Sequence, residues 1–301
     1  MVAQRERLGF LLGFVGITIF AGSLPATRLA VSALDPWFVT SARAAIAGLC
    51  GLALLAILRR PFPPRATWPS IALIVLGVVF GFPFFTALAM QTVPAAHGGV
   101  VLGILPLATA AAAVVMTHEK PGAGFWIAGL VGAALVVAFA VSRGGSFSLS
   151  PGDAQLLLAI ISAAIAYTAS GALARSMPGW EVISWVLVVS LPISLLAGWL
   201  TFPSDLGSVP ADAWGGLVYS AVMAQWMGFF FWNKGLAMGG IARVSQVQLL
   251  QPFVTVGLAA LVNRERIDIE TILFAAAVVV TVAIGMRMRV GAPQESASKA
   301  S

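Results

Sequence analysis

The side chains that could carry out catalysis or bind a metal ion are scarce and lie outside the long apolar segments. All 11 acidic residues fall at the ends of those segments or between them: Glu6, Asp35, Glu119, Asp153, Glu181, Asp205, Asp212, Glu265, Asp268, Glu270 and Glu295. The only two histidines, His97 and His118, stand too far apart to form a metal cluster. The chain also lacks P-loop, HExxH and GxSxG strings. We therefore predict no enzyme activity, catalytic residue, metal site or cofactor.

Neutral polar side chains within the apolar segments are better candidates for binding a ligand, because polar groups are costly in lipid. Tyr167 and Gln225 each lie in the middle of such a segment. Tyr167 either packs with its hydroxyl bonded to a neighbour or contacts substrate. Gln225 either bonds to another helix or contacts substrate, and we favour substrate. Phe229 and Trp232 follow at i+4 and i+7 and share its helix face.

Further candidates lie beside prolines. Ser245 and Gln248 are one helical turn apart and share a face with Pro252. Phe82 and Phe85 flank Pro83 in the third apolar segment. These residues extend the predicted substrate site, with its aromatic walls and a few amide and hydroxyl groups.

Arg43 and His97 are the two remaining site candidates. Arg43 lies too far inside its segment to be a simple anchor at the membrane surface. It can snorkel, pair with a helix C-terminus or hold a substrate carboxylate, and the sequence favours structural pairing. His97 begins the fourth segment, where a water-facing turn position is favoured over a role in proton handling.

A repeat positions these residues. Pro106 and Pro252 are 146 residues apart, and each is followed 13 residues later by a glutamate, Glu119 and Glu265. A proline inside a helix removes a backbone hydrogen bond and clashes with the preceding turn. Because it recurs at one depth in both halves, we predict that the two helices break there and gate a site between the halves. The glutamates are predicted to be anchors or ion-pair partners.

The composition indicates that lipid is the solvent. The chain is 59% hydrophobic and 9% charged, whereas a soluble domain carries about 25% charge. Ten helices are predicted, near residues 8–26, 36–58, 69–91, 97–116, 123–141, 153–174, 180–202, 213–236, 242–262 and 269–286. We interpret the first as a span and not as a signal peptide. Cys50 is the only cysteine, so no intrachain disulfide can form.

Basic residues set the predicted orientation, with both termini in the cytoplasm. The inner ends hold Arg5, Arg7, Arg59, Arg60, Arg65, Lys120, Arg175, Lys234, Arg243, Arg287, Arg289 and Lys299. The outer ends hold only Arg28, Arg143, Arg264 and Arg266. Because the basic residues sit at helix ends, the net charge of +6 does not indicate nucleic-acid binding. Five spans in each half require the second repeat to be inverted relative to the first.

The chain resembles the EamA branch of the drug/metabolite transporter superfamily over nearly its whole length. The matching strings are Leu34-Asp35-Pro36 followed by Arg43, Ile104-Leu105-Pro106 ending in His118-Glu119-Lys120, and Leu250-Gln251-Pro252 ending in Arg264-Glu265-Arg266. The resemblance implies an all-α integral membrane fold of ten transmembrane helices, as two inverted five-helix repeats around a central cavity. We predict repeats at 1–146 and 147–290, and a disordered cytoplasmic tail at 291–301.

Within this superfamily the chain is most similar to bacterial exporters of neutral and aromatic amino acids. The resemblance therefore implies export of a small amphipathic metabolite from the inner membrane by alternating access, by a monomer or weak homodimer among lipids. A proton-coupled drug transporter is disfavoured because no carboxylate lies in mid-span. A nucleotide-sugar-like transporter, which needs buried basic pairs, and a non-transporting receptor or assembly subunit are the remaining alternatives.

Overall fold

The computed structural model describes residues 2–93, 98, 101–142, 150–255, 269–288 and 290–291. The helices of its first half are α1 (Val2–Ala21), α2 (Ser23–Val31), α3 (Pro36–Ile57), α4 (Trp68–Ile74), α5 (Phe82–Thr92), α6 (Leu105–Thr117) and α7 (Ala123–Ser142). Those of the second half are α8 (Pro151–Leu173), α9 (Gly179–Leu200), α10 (Ala211–Val218), α11 (Gly228–Gly239), α12 (Ile241–Ser245) and α13 (Ile269–Arg287). Short 3-10 or π-helical segments connect several of them.

Helical structure is present at all ten predicted positions within the described residues. Five helices there are long and apolar enough to cross a membrane: Gln4–Val31, Pro36–Ile57, Arg65–Thr92, Pro151–Leu173 and Gly179–Leu200. Three shorter apolar helices are Leu102–Thr117, Ala123–Phe139 and Ile269–Gly285. The helical architecture is therefore confirmed, and five of the described helices reach full spanning length and hydropathy.

Local sequence signals account for where the helices begin. The Asp35 carboxylate accepts hydrogen bonds from the amides of Trp37 and Phe38, at 2.8 and 3.3 Å, which caps α3. Ser150 and Asp153 form a capping box at the start of α8, with Pro151 in the first turn. These caps satisfy amides that a helix leaves unpaired at its N-terminus.

The helix interruptions repeat at the spacing seen in the sequence. π-Helical segments at Val75–Gly81 and Tyr219–Met227 end 146 residues apart. The 3-10 segments Leu102–Ile104 and Gln246–Leu250 also end 146 residues apart, two residues before Pro106 and Pro252. Each proline therefore follows a junction between helix types, where the backbone bond that it cannot donate is not required. In both halves the helix type therefore changes two residues before the proline.

Helices from the two halves pack in reciprocal pairs. The α3 helix packs against α9, and α7 packs against α13. The α1 helix of the first half packs on α11 of the second, while α8 of the second half packs on α4 and α5 of the first. Such an exchange of partners is expected of two copies of one structural unit.

Close backbone contact joins α1 to α11. A Cβ atom added to Gly9 would lie 2.6 Å from the Gly239 nitrogen, and one added to Gly235 would lie 2.8 Å from the Gly13 nitrogen. The small residues at i and i+4 on both helices therefore allow the backbones to touch.

Candidate functional site

Four buried aromatic rings form one cluster between the two halves of the chain. Phe20 of α1 meets Phe229 and Trp232 of α11, with ring centroids 5.1 and 6.1 Å apart. Tyr167 of α8 lies 5.7 Å from both rings of α11. These rings offer a rigid apolar surface with edge and face contacts suited to another aromatic or aliphatic group. The structure thus brings together Tyr167, Phe229 and Trp232, as the sequence predicts.

Trp232 adds an unused hydrogen-bond donor to this aromatic cluster. Its side chain is 0% exposed, and its indole Nε1 has no hydrogen-bond partner in the described part of the chain. A buried indole N–H normally has a partner. The nitrogen is therefore available to an acceptor that enters between the helices.

Gln225 lies one turn before Phe229, in the π-helical segment Tyr219–Met227. Its Nε2 donates a hydrogen bond to the carbonyl oxygen of Val78 at 3.0 Å. Val78 belongs to the equivalent π-helical segment of the first half. The amide nitrogen therefore bonds to another helix. This is the first of the two roles that the sequence allows for Gln225, the second being contact with substrate.

Arg43 is buried near the middle of α3, with 2% of its surface exposed. Its Nε and Nη1 atoms have no hydrogen-bond partner in the described structure, and no ion pair joins it to a described carboxylate. The structural pairing that the sequence favours is therefore not found for these atoms. Ala44, the next residue of α3, belongs to the same hydrophobic core as the aromatic cluster.

Ser245 and Gln248, the two predicted site residues that precede Pro252, differ in their hydrogen bonding. Ser245 Oγ donates to the carbonyl of Ala242 at 2.8 Å and lies 3.3 Å from the carbonyl oxygen of Pro106. This contact links the broken helices of the two halves. Gln248 is buried, and its Oε1 has no partner within the described residues.

The remaining predicted site residues, Phe82, Phe85 and His97, do not lie together in one described site. Phe82 packs against the main hydrophobic core, which also holds the aromatic cluster. Phe85 contacts Phe84 at 5.7 Å, and Phe84 stacks on the exposed Trp37 at 3.9 Å, so Phe85 belongs to a more peripheral group. His97 lies outside the described residues.

Sequence reasoning missed Phe20 and Asn233. Phe20 lies in the first apolar segment, where nothing in the sequence sets it apart from the neighbouring apolar residues. Asn233 is fully buried, accepts a hydrogen bond from Ser170 Oγ at 2.9 Å and donates one to the Gly179 carbonyl at 3.2 Å. The signal for Asn233 was present, since an amide in an apolar helix requires partners. Its position beside Lys234 suggested a helix end instead.

Glu119 organises one end of the molecule. Its buried carboxylate accepts hydrogen bonds from the Ile241 and Ala242 amides, at 3.2 and 2.9 Å, and forms a 2.7 Å ion pair with Arg175. These amides begin α12, so the negative charge lies at a favourable helix terminus. The predicted ion-pair role of Glu119 is confirmed, whereas Glu265 lies outside the described residues.

A second ion pair lies near these contacts of Glu119. Arg243, two residues beyond the Ile241 amide, pairs with Glu6 of α1 at 3.0 Å. At the turn after α6, Lys120–Pro121 forms β1, which pairs antiparallel with β2, Val290–Gly291. The ends of α1, α6, α8 and α13 and the start of α12 are thus joined at one end of the molecule.

The chain is similar to a known protein family and to several named proteins. The EamA-like transporter family matches it twice, over residues 7–141 and 150–286. A Bacillus subtilis protein named "Uncharacterized transporter YdeK" is 43% identical over 279 residues, which cover 93% of this chain and 97% of that protein. The "Aromatic amino acid exporter YddG" of Ancylobacter novellus is 24% identical over 253 residues, 80% of this chain and 84% of the exporter.

A solved crystal structure shares the fold. It aligns with a TM-score of 0.72 and 22% sequence identity, and the alignment covers 93% of this chain and 98% of that structure. The two family matches divide the chain on either side of residues 142–149, in agreement with the repeated helix interruptions.

Proposed function

The chain belongs to the EamA-like transporter family, and we propose that it exports small amphipathic metabolites, with neutral and aromatic amino acids as its substrates. Proteins of this family transport small molecules across membranes, and this chain is an integral membrane protein. The observation that carries the substrate proposal is the aromatic cluster of Phe20, Tyr167, Phe229 and Trp232. It offers apolar walls together with an indole N–H that has no partner among the described residues.

The proposed architecture is two inverted five-helix repeats, residues 1–146 and 147–290, around a central cavity. The repeated interruptions and the reciprocal helix pairs support this arrangement. The excess of basic residues at the inner ends supports cytoplasmic termini in a bacterial inner membrane. Rocking of one repeat against the other would expose the cavity to each side in turn. The 291–301 tail then lies in the cytoplasm.

Electrostatics favour a facilitator of neutral or zwitterionic solutes. The acidic residues within the five candidate spans, Glu6, Asp153 and Glu181, occupy first turns or lie near the start of a helix. A proton-driven exchanger of cations needs a carboxylate deep in the membrane, which this arrangement does not supply. The relative named as an aromatic amino acid exporter supports the same substrate class.

Uptake of labelled phenylalanine, tryptophan and leucine into proteoliposomes tests the proposal. We expect saturable uptake without a pH gradient. Uptake that requires a gradient would contradict the facilitator mechanism and make His97 the first residue to test for proton handling. Absence of uptake for every amino acid would overturn the proposed substrate class.

Two tryptophan variants connect that experiment to the aromatic cluster. Trp232→Ala should lower the rate of phenylalanine uptake by about tenfold or more, as for a buried aromatic anchor. Trp199→Ala is the matched control, because Trp199 is 80% exposed on α9 and lies outside the cluster. Equal effects of the two changes on the uptake rate would indicate that the aromatic cluster does not bind the substrate.

A further inference from the structure

Arg43 differs from the other arginines whose partners the structure describes. Arg28 donates to the carbonyls of Met90 and Val93, and Arg60 pairs with Glu181 at 3.7 Å. Arg175 and Arg243 form the ion pairs described above. Arg43 is more buried than any of these four, yet its Nε and Nη1 have no described partner. An uncompensated buried charge is strongly unfavourable, which makes a structural role alone a poor explanation.

Snorkelling does not explain Arg43 either. A snorkelling arginine buries its aliphatic stem and keeps its charged head in water. Only 2% of Arg43 is exposed, and two guanidinium nitrogens are themselves buried with no partner in the part of the chain that the structure describes. The charged head is therefore inside the protein with the stem.

Two further buried hydroxyl groups lie on α3 and on a segment that packs against it, and no described carboxylate forms an ion pair with Arg43. Thr40 lies one turn earlier on the same face of α3, and its buried Oγ1 is also unpaired in the described structure. Ser220, whose buried Oγ lacks a described partner, lies on the π-helical segment that packs against α3. An anion that reached Arg43 would displace no described ion pair.

The core beside Arg43 also holds the aromatic cluster. Ala44, the next residue of α3, belongs to the same hydrophobic core as Tyr167, whose ring packs against Phe229 and Trp232. A charged head group at Arg43 and an apolar side chain at the cluster would therefore belong to a single ligand. A guanidinium binds carboxylates in a planar, bidentate geometry, which suits a ligand with one carboxylate.

We propose that Arg43 binds the substrate's carboxylate and thereby restricts transport to amphipathic monocarboxylates whose apolar group contacts the aromatic cluster. This inference rests on the proposed transport function and names the chemical group that its site selects. The carboxylate supplies the counter-charge that the guanidinium lacks in the described structure. Amino acids whose carboxyl group is blocked would lose this interaction while keeping their fit to the rings.

Three ligands separate the carboxylate from the rest of the substrate. L-Phenylalanine has both charged groups, 3-phenylpropionate has only the carboxylate, and L-phenylalaninamide has only the amine. Their uptake would be measured in proteoliposomes that contain wild type, Arg43→Gln or Arg43→Lys. Arg60→Gln is the matched control, since Arg60 is half-exposed and already paired with Glu181.

We expect Arg43→Gln to raise the KM for both carboxylates by about tenfold or more, the usual effect of losing a charged hydrogen bond. Uptake of L-phenylalaninamide should change little, and Arg43→Lys should restore part of the carboxylate affinity. Equal losses for all three ligands would indicate a structural role and overturn the proposal. Unchanged KM values for the carboxylates would overturn it as well.

Thermal unfolding in detergent keeps the proposal testable where transport fails. Addition of 3-phenylpropionate should raise the Tm of wild type and of Arg60→Gln but not that of Arg43→Gln. If wild type transports no amino acid yet shows this Arg43-dependent stabilisation, the proposed function fails and the carboxylate site stands. Stabilisation that is equal in wild type and Arg43→Gln removes Arg43 from the site, whatever the transport result.

Discussion

The amide nitrogen of Gln225 donates a hydrogen bond to the carbonyl oxygen of Val78, across 3.0 Å, between two π-helical segments that end 146 residues apart. The bond therefore joins corresponding interruptions in the two halves. π-Helical turns shift the register of backbone hydrogen bonding and often occur at functional sites. This bond lies beside the aromatic cluster, because Phe229 follows Gln225 by one turn.

We predict that Gln225→Leu destabilises the protein more than it changes substrate preference. The change leaves the Val78 carbonyl oxygen without the side-chain donor, at a cost of about 1–3 kcal/mol if the oxygen stays unpaired. In thermal unfolding in detergent, Gln225→Leu should have a lower Tm than wild type. Gln91→Leu, which changes an exposed residue of α5, is the control and should not lower the Tm. A large loss of phenylalanine affinity at unchanged Tm would instead assign Gln225 to the substrate.

Glu119→Gln should weaken the end of the molecule that α6, α8 and α12 share. Glutamine keeps an acceptor for one backbone amide but removes the charge that pairs with Arg175 and lies at the start of α12. We expect a loss of about 1–3 kcal/mol, because hydrogen bonds to charged groups are the stronger class.

Glu181→Gln is the control for that measurement. Glu181 pairs with Arg60 at the longer distance of 3.7 Å, and the Arg60 side chain is 44% exposed, so the pair is screened by solvent. Its removal should change the Tm less than Glu119→Gln does. Equal changes in the two variants would show that the bonds from Glu119 to the α12 amides add little stability.

Gly235→Val should prevent the close approach of α11 to α1. The added carbon would lie 2.8 Å from both the Gly13 nitrogen and the Gly9 carbonyl oxygen, and neither backbone atom can rotate away. We expect a marked fall in the yield of monodisperse protein during size-exclusion chromatography. Gly215→Val is the matched control, because a Cβ there meets no atom within 4 Å. A normal yield of Gly235→Val would show that the two helices can separate without loss of the fold.

Much of the fold was accessible from the sequence because lipid imposes a strong pattern on it. Long apolar segments separated by short connections predicted helices at the positions where the structure has them. Pro106 and Pro252 each follow a 3-10 segment by two residues, and proline has a direct effect on the backbone. The π-helical segments were not predicted, since Val75–Gly81 has no such marker and reads as an ordinary apolar helix.

The candidate site was less accessible because its properties depend on tertiary contacts. Phe20 looks like any lipid-facing phenylalanine until α11 is placed against α1. The sequence identified Arg43 as unusual but predicted a partner that the described structure does not provide. Pairing of a side chain is a property of several helices together, so a single segment cannot reveal it.

The indole nitrogens of Trp232 and Trp185 allow ligand binding to be separated from folding. Both are buried and have no partner among the described residues, but Trp232 lies in the aromatic cluster whereas Trp185 packs against Phe62 at 4.9 Å. Replacement of either by phenylalanine removes an unpaired donor, so neither change should cost a protein hydrogen bond. Trp232→Phe should nevertheless raise the KM for phenylalanine, because the substrate would lose that donor, whereas Trp185→Phe should leave the KM unchanged. Measurement of the Tm and KM of both variants checks this, and a shared shift in KM would place the indole nitrogen of Trp232 outside the substrate site.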